Sequence, residues 1–274
     1  MSISTFQITS FGKIPIQTQA DTLDKMTREL PQGFYTTFST LSHATKVMGL
    51  RAHLRRLFIP AMQEGIAPAV SAEVLQIRIA DLVKINLPSE SRVRLILTKS
   101  DGNIYICLQP FERLSDQVYA KGVKVITANM VRQDPRVKDT GFISSSIAQR
   151  EQVGRDVFEL LLAKDGKILE GMTSNFYAIK RKTLVTSRRG ILLGVTRRAV
   201  LRLARGQGMS IEYRAPKIHE KFDEAFLTSS SRGVVPIVLI DNKSVGQGSV
   251  GKWTKILSKA YQAYAEERSE EIVS

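Results

Sequence analysis

Asp134-Pro-Arg-Val-Lys138, Glu170-Gly-Met-Thr-Ser-Asn175, Leu193-Gly-Val-Thr-Arg197 and Phe226-Leu-Thr-Ser-Ser-Ser231, in that order, decide how this chain is read. Lys138 stands 32 residues before Glu170. Taken singly, each stretch has a plain structural meaning. A lysine between Val137 and Asp139 reads as a solvated loop residue. Glu170-Gly171, shortly after Lys164-Asp-Gly-Lys167, reads as the exit of a hairpin, because Asp-Gly is a strong turn signal. Thr196 reads as a helix cap, since Arg197-Arg-Ala-Val-Leu-Arg-Leu-Ala-Arg205 carries its apolar residues at helical spacing. The serine triplet reads as an irregular strand end.

Taken together, the four stretches resemble the active-site set of the fold-type IV pyridoxal-phosphate enzymes. That family holds the branched-chain and D-amino-acid aminotransferases and aminodeoxychorismate lyase. The resemblance covers the C-terminal half well, and reaches the N-terminal half through Arg51-Ala-His-Leu-Arg-Arg-Leu57 and Gly33-Phe-Tyr-Thr-Thr-Phe38. It implies pyridoxal 5'-phosphate as cofactor and a distinct partner for each part of it. The aldehyde needs a primary amine to hold it as a Schiff base, and the matching residue is Lys138, whose amine also moves the substrate's α-proton. The pyridine nitrogen needs a carboxylate to keep it protonated, which is Glu170, with Ser174 and Asn175 in the same cofactor-binding stretch. The phosphate needs backbone N–H groups at a helix start, hydroxyls and a guanidinium fork. Val195, Thr196, Ser229, Ser230 and Arg56 match these. Tyr35 matches a residue of the substrate pocket. Arg94 resembles a family arginine that reaches toward the substrate carboxylate, and Arg92 shares its strand parity.

The implied fold is α+β with two domains. A smaller N-terminal α/β sandwich spans 1–116, a link spans 117–122, and a larger C-terminal cofactor-binding domain with a β-barrel-like core spans 123–274. The implied activity moves an amino group between an amino acid and a 2-oxo acid. Elimination of the aminodeoxychorismate lyase type, giving p-aminobenzoate and pyruvate, is the alternative, and Thr36-Thr37 resembles some lyase members. The family also implies a homodimer. Three departures stand out. The opening strand with Asn-Gly is not evident in residues 1–30, Ile143 stands where branched-chain enzymes place a tyrosine, and Arg232 interrupts the segment after the serines.

Composition bounds the rest. The 274 residues are 43% hydrophobic and 24% charged, ordinary values for a globular protein. The longest apolar run, Val234-Val-Pro-Ile-Val-Leu-Ile240, is too short to cross a bilayer, so no membrane partner is expected, and the first residues show no secretory pattern. Cys107 is the only cysteine. It lies in a strand-like run, so a core position and a reducing cytoplasm are expected. The net charge of +14 leaves a non-catalytic basic module for nucleotides or polyanions as the reading from another class. The basic clusters lie apart, with no aromatic interleaving and no nucleic-acid motif, so nucleic acid is not the expected partner. His43, His53 and His219 have no metal-ligand spacing and read as surface residues, so no metal is expected.

Gly246-Gln-Gly-Ser-Val-Gly251 matches the dinucleotide fingerprint, and Gly246 to Lys252 matches phosphate-loop spacing. Trp253 occupies the position that needs Ser or Thr, and no parallel strand follows the last helix, so the stretch reads as a glycine-rich turn. Periodicity predicts helices over 51–64, 72–85, 196–206 and 252–268, and one from about Ser145. It predicts strands over 92–98, 103–108, 123–127, 175–179, 183–186, 226–228 and 234–240, with a hairpin over 158–169. Residues 110–122 read as irregular. Mixed elements without strict alternation again argue for α+β.

Overall fold

The computed structural model describes residues 3–154 and 156–272. In chain order the first elements are β1 (Ser4–Ile8), β2 (Lys13–Ile16), α1 (Leu23–Glu29), β3 (Gly33–Leu41), β4 (Lys46–Val47), α2 (Leu50–Gln63), α3 (Ala72–Val83), β5 (Ser91–Thr98) and β6 (Ile104–Pro110). Next come α4 (Asp116–Lys121), β7 (Val123–Asn129), α5 (Gly141–Ser145), α6 (Ile147–Arg150), β8 (Glu159–Lys164), β9 (Lys167–Gly171), β10 (Asn175–Lys180) and β11 (Thr183–Thr186). The last are α7 (Val195–Gly206), β12 (Ser210–Tyr213), β13 (Glu224–Ser229), β14 (Gly233–Ile240), β15 (Lys243–Ser244), α8 (Lys252–Arg268) and β16 (Glu270–Glu271). The chain divides into two compact units. One holds the chain through Glu112, Val137–Ser145 and the chain from Glu266, and the other holds Arg113–Arg136 and Ser146–Ala265. The sequence pattern places a single boundary at 117–122. Here the division falls after Glu112, the segment bearing Lys138 groups with the first unit, and the stretch expected to be irregular contains α4.

In the first unit a seven-stranded antiparallel sheet runs β16-β4-β3-β5-β6-β1-β2. Its centre is rich in aromatic and β-branched residues, which suit a pleated buried surface. Leu50, Leu54, Leu57 and Ala61 repeat at helical intervals on α2 and are buried, while Arg51 and Arg55 face solvent. They join Leu75, Ile79 and Leu82 of α3 and Phe34, Phe38 and Leu95 of the sheet in one core. The opening that lacks an Asn-Gly signal is nonetheless a hairpin. β1 pairs with β2, and Thr9 N–H donates to the Gly12 carbonyl at 2.9 Å. Cys107 is in the core as expected, and burial pushes its thiol up to about 11.

In the second unit the strand order is β12-β11-β10-β13-β14-β7-β8-β9, with β15 added on β14. Connectivity alone makes this sheet curl. β9 lies five strands away from β10 along the path, about 24 Å in a flat sheet. Only Met172, Thr173 and Ser174 join them, a link that reaches about 15 Å when fully stretched. The sheet closes on itself enough to bring β9 back beside β10, which is the barrel-like core expected for this half. The α+β class holds in both units.

Candidate active site

Glu170 sits near the end of β9, opposite Leu162, where the β8–β9 register shifts between Leu162 and Ala163. Irregularities of this kind re-aim a side chain. The Glu170 carboxylate is 2% exposed. One oxygen accepts from Arg132 Nε at 2.8 Å and the other from the Leu192 N–H at 3.0 Å, with Asn175 Nδ2 at 3.4 Å. Arg132 Nη2 also donates to the Met172 carbonyl at 2.6 Å. Asn175 reaches onward, donating to the Leu192 carbonyl at 2.7 Å and accepting from the Gly194 N–H at 3.2 Å. One buried carboxylate is thereby tied to the loop that enters α7. The sequence pattern does not single out Arg132, because one arginine in an irregular stretch carries no periodic signal.

That loop ends at Gly194, the N-cap of α7, and no side chain caps the helix start. Val195 and Thr196 form its first turn, and the Thr196 hydroxyl lies 3.3 Å from the Tyr261 hydroxyl. Arg197 turns inward, 3% exposed, and donates to the Ser187 carbonyl at 2.6 Å. Ser229 ends β13, and Ser230 follows in the turn to β14, both half-buried. Arg232 closes that turn. Its Nε donates to Ser229 Oγ at 3.1 Å, and its Nη2 to Glu159 Oε2 at 2.8 Å and Thr173 Oγ1 at 2.5 Å. Glu159, 2% exposed, also accepts from Thr173 N–H at 2.6 Å and Ser174 Oγ at 3.0 Å. Gly171 must be glycine for this approach, since a Cβ there would collide with Ser174 Oγ and Glu159 Oε1.

The glycine-rich stretch before α8 has the opposite chemistry. Glu224 accepts from the Trp253 N–H at 3.0 Å, the Thr254 N–H at 2.7 Å and the Thr254 hydroxyl at 2.7 Å. A protein carboxylate already occupies the place where a phosphate would sit at this helix start. The Gly246–Gly251 pattern is a turn, as expected.

In the first unit, Tyr35 N–H donates to the Lys138 carbonyl at 2.8 Å, and Lys138 Nζ lies 4.6 Å from the centre of the Tyr35 ring. Tyr35 is 4% exposed and packs with Ile96, Tyr105 and Ile143. Arg94 is also buried, and its guanidinium lies 5.1 Å from the same ring. Its Nε donates to Thr37 Oγ1 at 3.0 Å. Its Nη1 donates to the Leu23 carbonyl at 2.9 Å, Asp24 at 2.8 Å and Thr27 Oγ1 at 2.7 Å. These bonds make Arg94 the tie between β5 and α1. One sequence expectation fails here. His43 and His219 are exposed, but His53 is fully buried, with Nδ1 2.6 Å from the Thr36 hydroxyl and Phe38 against its ring. His53 lies on the apolar face of α2, where the helical period buries every third or fourth residue whatever its type. Burial, and then the positive Arg56 and Lys138, hold its pKa well below the usual histidine value, so the ring is neutral. Arg56, one turn further along α2, is half-buried. Ser144 and Ser145 after Lys138 are exposed, whereas Ser146 is buried and accepts from Arg150 Nε at 2.9 Å. Among the described residues there is no cluster of three or more metal-ligating side chains and no helix long and apolar enough to cross a membrane.

The family model described as Amino-transferase class IV matches residues 33–240. A D-alanine aminotransferase of Bacillus licheniformis is 29% identical over 231 residues, covering 78% of this chain and 81% of the relative. A branched-chain-amino-acid aminotransferase of Pseudomonas aeruginosa is 26% identical over 239 residues, covering 79% of this chain and 78% of the relative. Among solved structures, the T.th. branched-chain amino acid aminotransferase with pyridoxamine 5'-phosphate matches with a TM-score of 0.82. It is 18% identical and covered to 98% in both chains, a likeness that speaks for the fold.

Proposed function

Since the chain belongs to the class IV aminotransferase family, we propose that it is a pyridoxal 5'-phosphate-dependent aminotransferase acting between an amino acid and a 2-oxo acid. The observation that carries the reading is the buried Glu170 carboxylate, linked through Asn175 to the start of a helix that no side chain caps. When bound, the cofactor supplies an aldehyde for the amino group and a ring that takes up electron density. The residues fit its parts. Glu170 would face the pyridine nitrogen, and Arg132 would hold its carboxylate in place. Val195, Thr196, Ser229 and Ser230, with Arg56, would take the phosphate, because backbone N–H groups, hydroxyls and a guanidinium suit a dianion. Lys138 would hold the aldehyde and carry the substrate's α-proton as general base and acid. Tyr35, against the Lys138 amine, would limit where that amine swings.

The bonds of Arg94 to α1 favour a structural place for it over a direct substrate contact. The threonine pair behind the lyase alternative is engaged inside the first unit, Thr36 with His53 and Thr37 with Arg94. That leaves amino transfer as the better supported reading. A homodimer and a cytoplasmic setting complete it. The first follows the family resemblance, and the second follows from a lone buried cysteine.

The test is a visible spectrum of the purified chain with added pyridoxal 5'-phosphate, followed by a donor and acceptor screen. D-alanine, L-alanine and branched-chain amino acids are each offered with 2-oxoglutarate or pyruvate. Amino transfer to the oxo acid supports the proposal. Release of pyruvate and p-aminobenzoate from aminodeoxychorismate, with no amino transfer, would replace it by the lyase reading.

A further inference from the structure

Arg232, which interrupts the family pattern, lies among residues of the proposed phosphate cup without being one of them. We propose that Arg232, clamped by Glu159, is a positioning residue that turns the Ser229 hydroxyl into a directed donor toward the cofactor phosphate. This rests on the reading of Ser229 as part of the phosphate cup.

A serine hydroxyl has one proton to give and two lone pairs to offer. Ser229 Oγ accepts from Arg232 Nε at 3.1 Å, so its proton cannot point at the guanidinium and is turned elsewhere. Thr173 is polarised in the same way, accepting from Arg232 Nη2 and donating to Glu159 at 3.0 Å. Glu159 neutralises Arg232 at 2.8 Å and is itself buried, with Thr173 and Ser174 donating to its other oxygen. The clamp is therefore an ion pair with no net charge. It differs in role from Arg56, whose charge would act on the phosphate directly. It also ties the serine turn to the 172–174 turn, which follows Glu170 by two residues. The pyridine end and the phosphate end of the proposed site are thereby held to one buried carboxylate. A bare arginine placed beside a phosphate would need no such carboxylate. The pairing with Glu159 is what identifies an orienting rather than a binding role.

The test measures the dissociation constants for pyridoxal 5'-phosphate and for inorganic phosphate on the full chain. The variants are Arg232→Met, Arg232→Lys, Ser229→Ala and the Ser229→Ala/Arg232→Met pair. A Glu159→Gln/Arg232→Met pair removes both charges, so that no stranded carboxylate confuses the result. Arg232→Met should weaken both ligands about tenfold, the loss expected for one charge-assisted hydrogen bond acting through its partner. Arg232→Lys should recover part of that loss, and the charge-free pair should match Arg232→Met. On the Ser229→Ala background, Arg232→Met should have no further effect, which a purely structural arginine would not produce. Equal losses with and without Ser229, or affinities within about twofold of the original chain, would overturn the proposal. If the original chain fails to bind pyridoxal 5'-phosphate, the cofactor reading falls first and the clamp falls with it.

Discussion

Replacing Arg132 by methionine keeps an apolar stem and removes the guanidinium bonded to the Glu170 carboxylate, which is 2% exposed. The pair is bonded at 2.8 Å, and both side chains are nearly sealed from water, at 3% and 2% exposure. Breaking a pair of this kind from one side costs about 3–5 kcal/mol, because the remaining charge is buried without its counter-ion. The Met172 carbonyl also loses its donor at 2.6 Å, worth about 1 kcal/mol more. Against a usual folding stability of about 5–15 kcal/mol, this is a severe loss. The Lys25–Asp21 pair gives the contrast. It has the same 2.8 Å distance, but its side chains are 53% and 63% exposed, and Lys25→Met should leave stability nearly unchanged because water screens the pair. Adding Glu170→Gln to Arg132→Met removes the stranded charge while an amide oxygen still faces the Leu192 N–H, and should restore more than half of the loss. Urea unfolding of five proteins without cofactor reads these differences: the original chain, Arg132→Met, Glu170→Gln, their double variant and Lys25→Met. An Arg132→Met loss near that of Lys25→Met, or a double variant whose losses simply add, would refute the buried-pair reasoning.

Three further outcomes follow from the same structure. His53 is neutral when folded and takes a proton near its ordinary value of 6.5 when unfolded. Its contribution is complete above that value and declines as pH falls below it toward the lowered folded pKa, by up to about 1.4 kcal/mol per pH unit. Unfolding free energy measured against pH should slope less in His53→Gln, and equal slopes would show that the ring is not held neutral. Glu224→Ala should cost about 2 kcal/mol, since α8 loses its buried cap. No nucleotide binding should appear at Gly246–Gly251; urea melts and a nucleotide titration read both. Cys107, buried with its thiol pushed up to about 11, should react with thiol reagents only after unfolding; rapid labelling of the native chain would contradict its core position.

The elements with a clean period were legible. The helix expected at 252–268 matches α8, and the strand at 183–186 matches β11, because flanking turn residues and apolar spacing agree there. The hairpin at Asp165-Gly166 was legible because both residues adopt positive φ, which that dipeptide favours. β1 and β2 were missed, since Thr9-Ser-Phe-Gly12 makes a hairpin without a standard turn signal. His53 is buried although its segment is basic, because it precedes buried Leu54 on the apolar face of α2. The absence of metal-ligand spacing says nothing about which face of a helix a histidine takes. The order of Lys138, Glu170, Thr196 and the serines pointed to a cofactor, but the residues that hold them were silent. Arg132, Glu159 and the partners of Arg232 act through contacts between residues far apart in sequence, which spacing cannot report. Glu159 alone left a trace, as a single charge at the head of the apolar run Leu160-Leu-Leu162.

Everything proposed for the site turns on Lys138 holding the cofactor. Borohydride reduction of the chain incubated with pyridoxal 5'-phosphate, followed by peptide mapping, decides whether it does. A pyridoxyl group is expected on the peptide containing Lys138, with label and activity both lost in Lys138→Ala. A label on a different lysine, or a Lys138→Ala protein that still transfers amino groups, would show that the site is built around another residue.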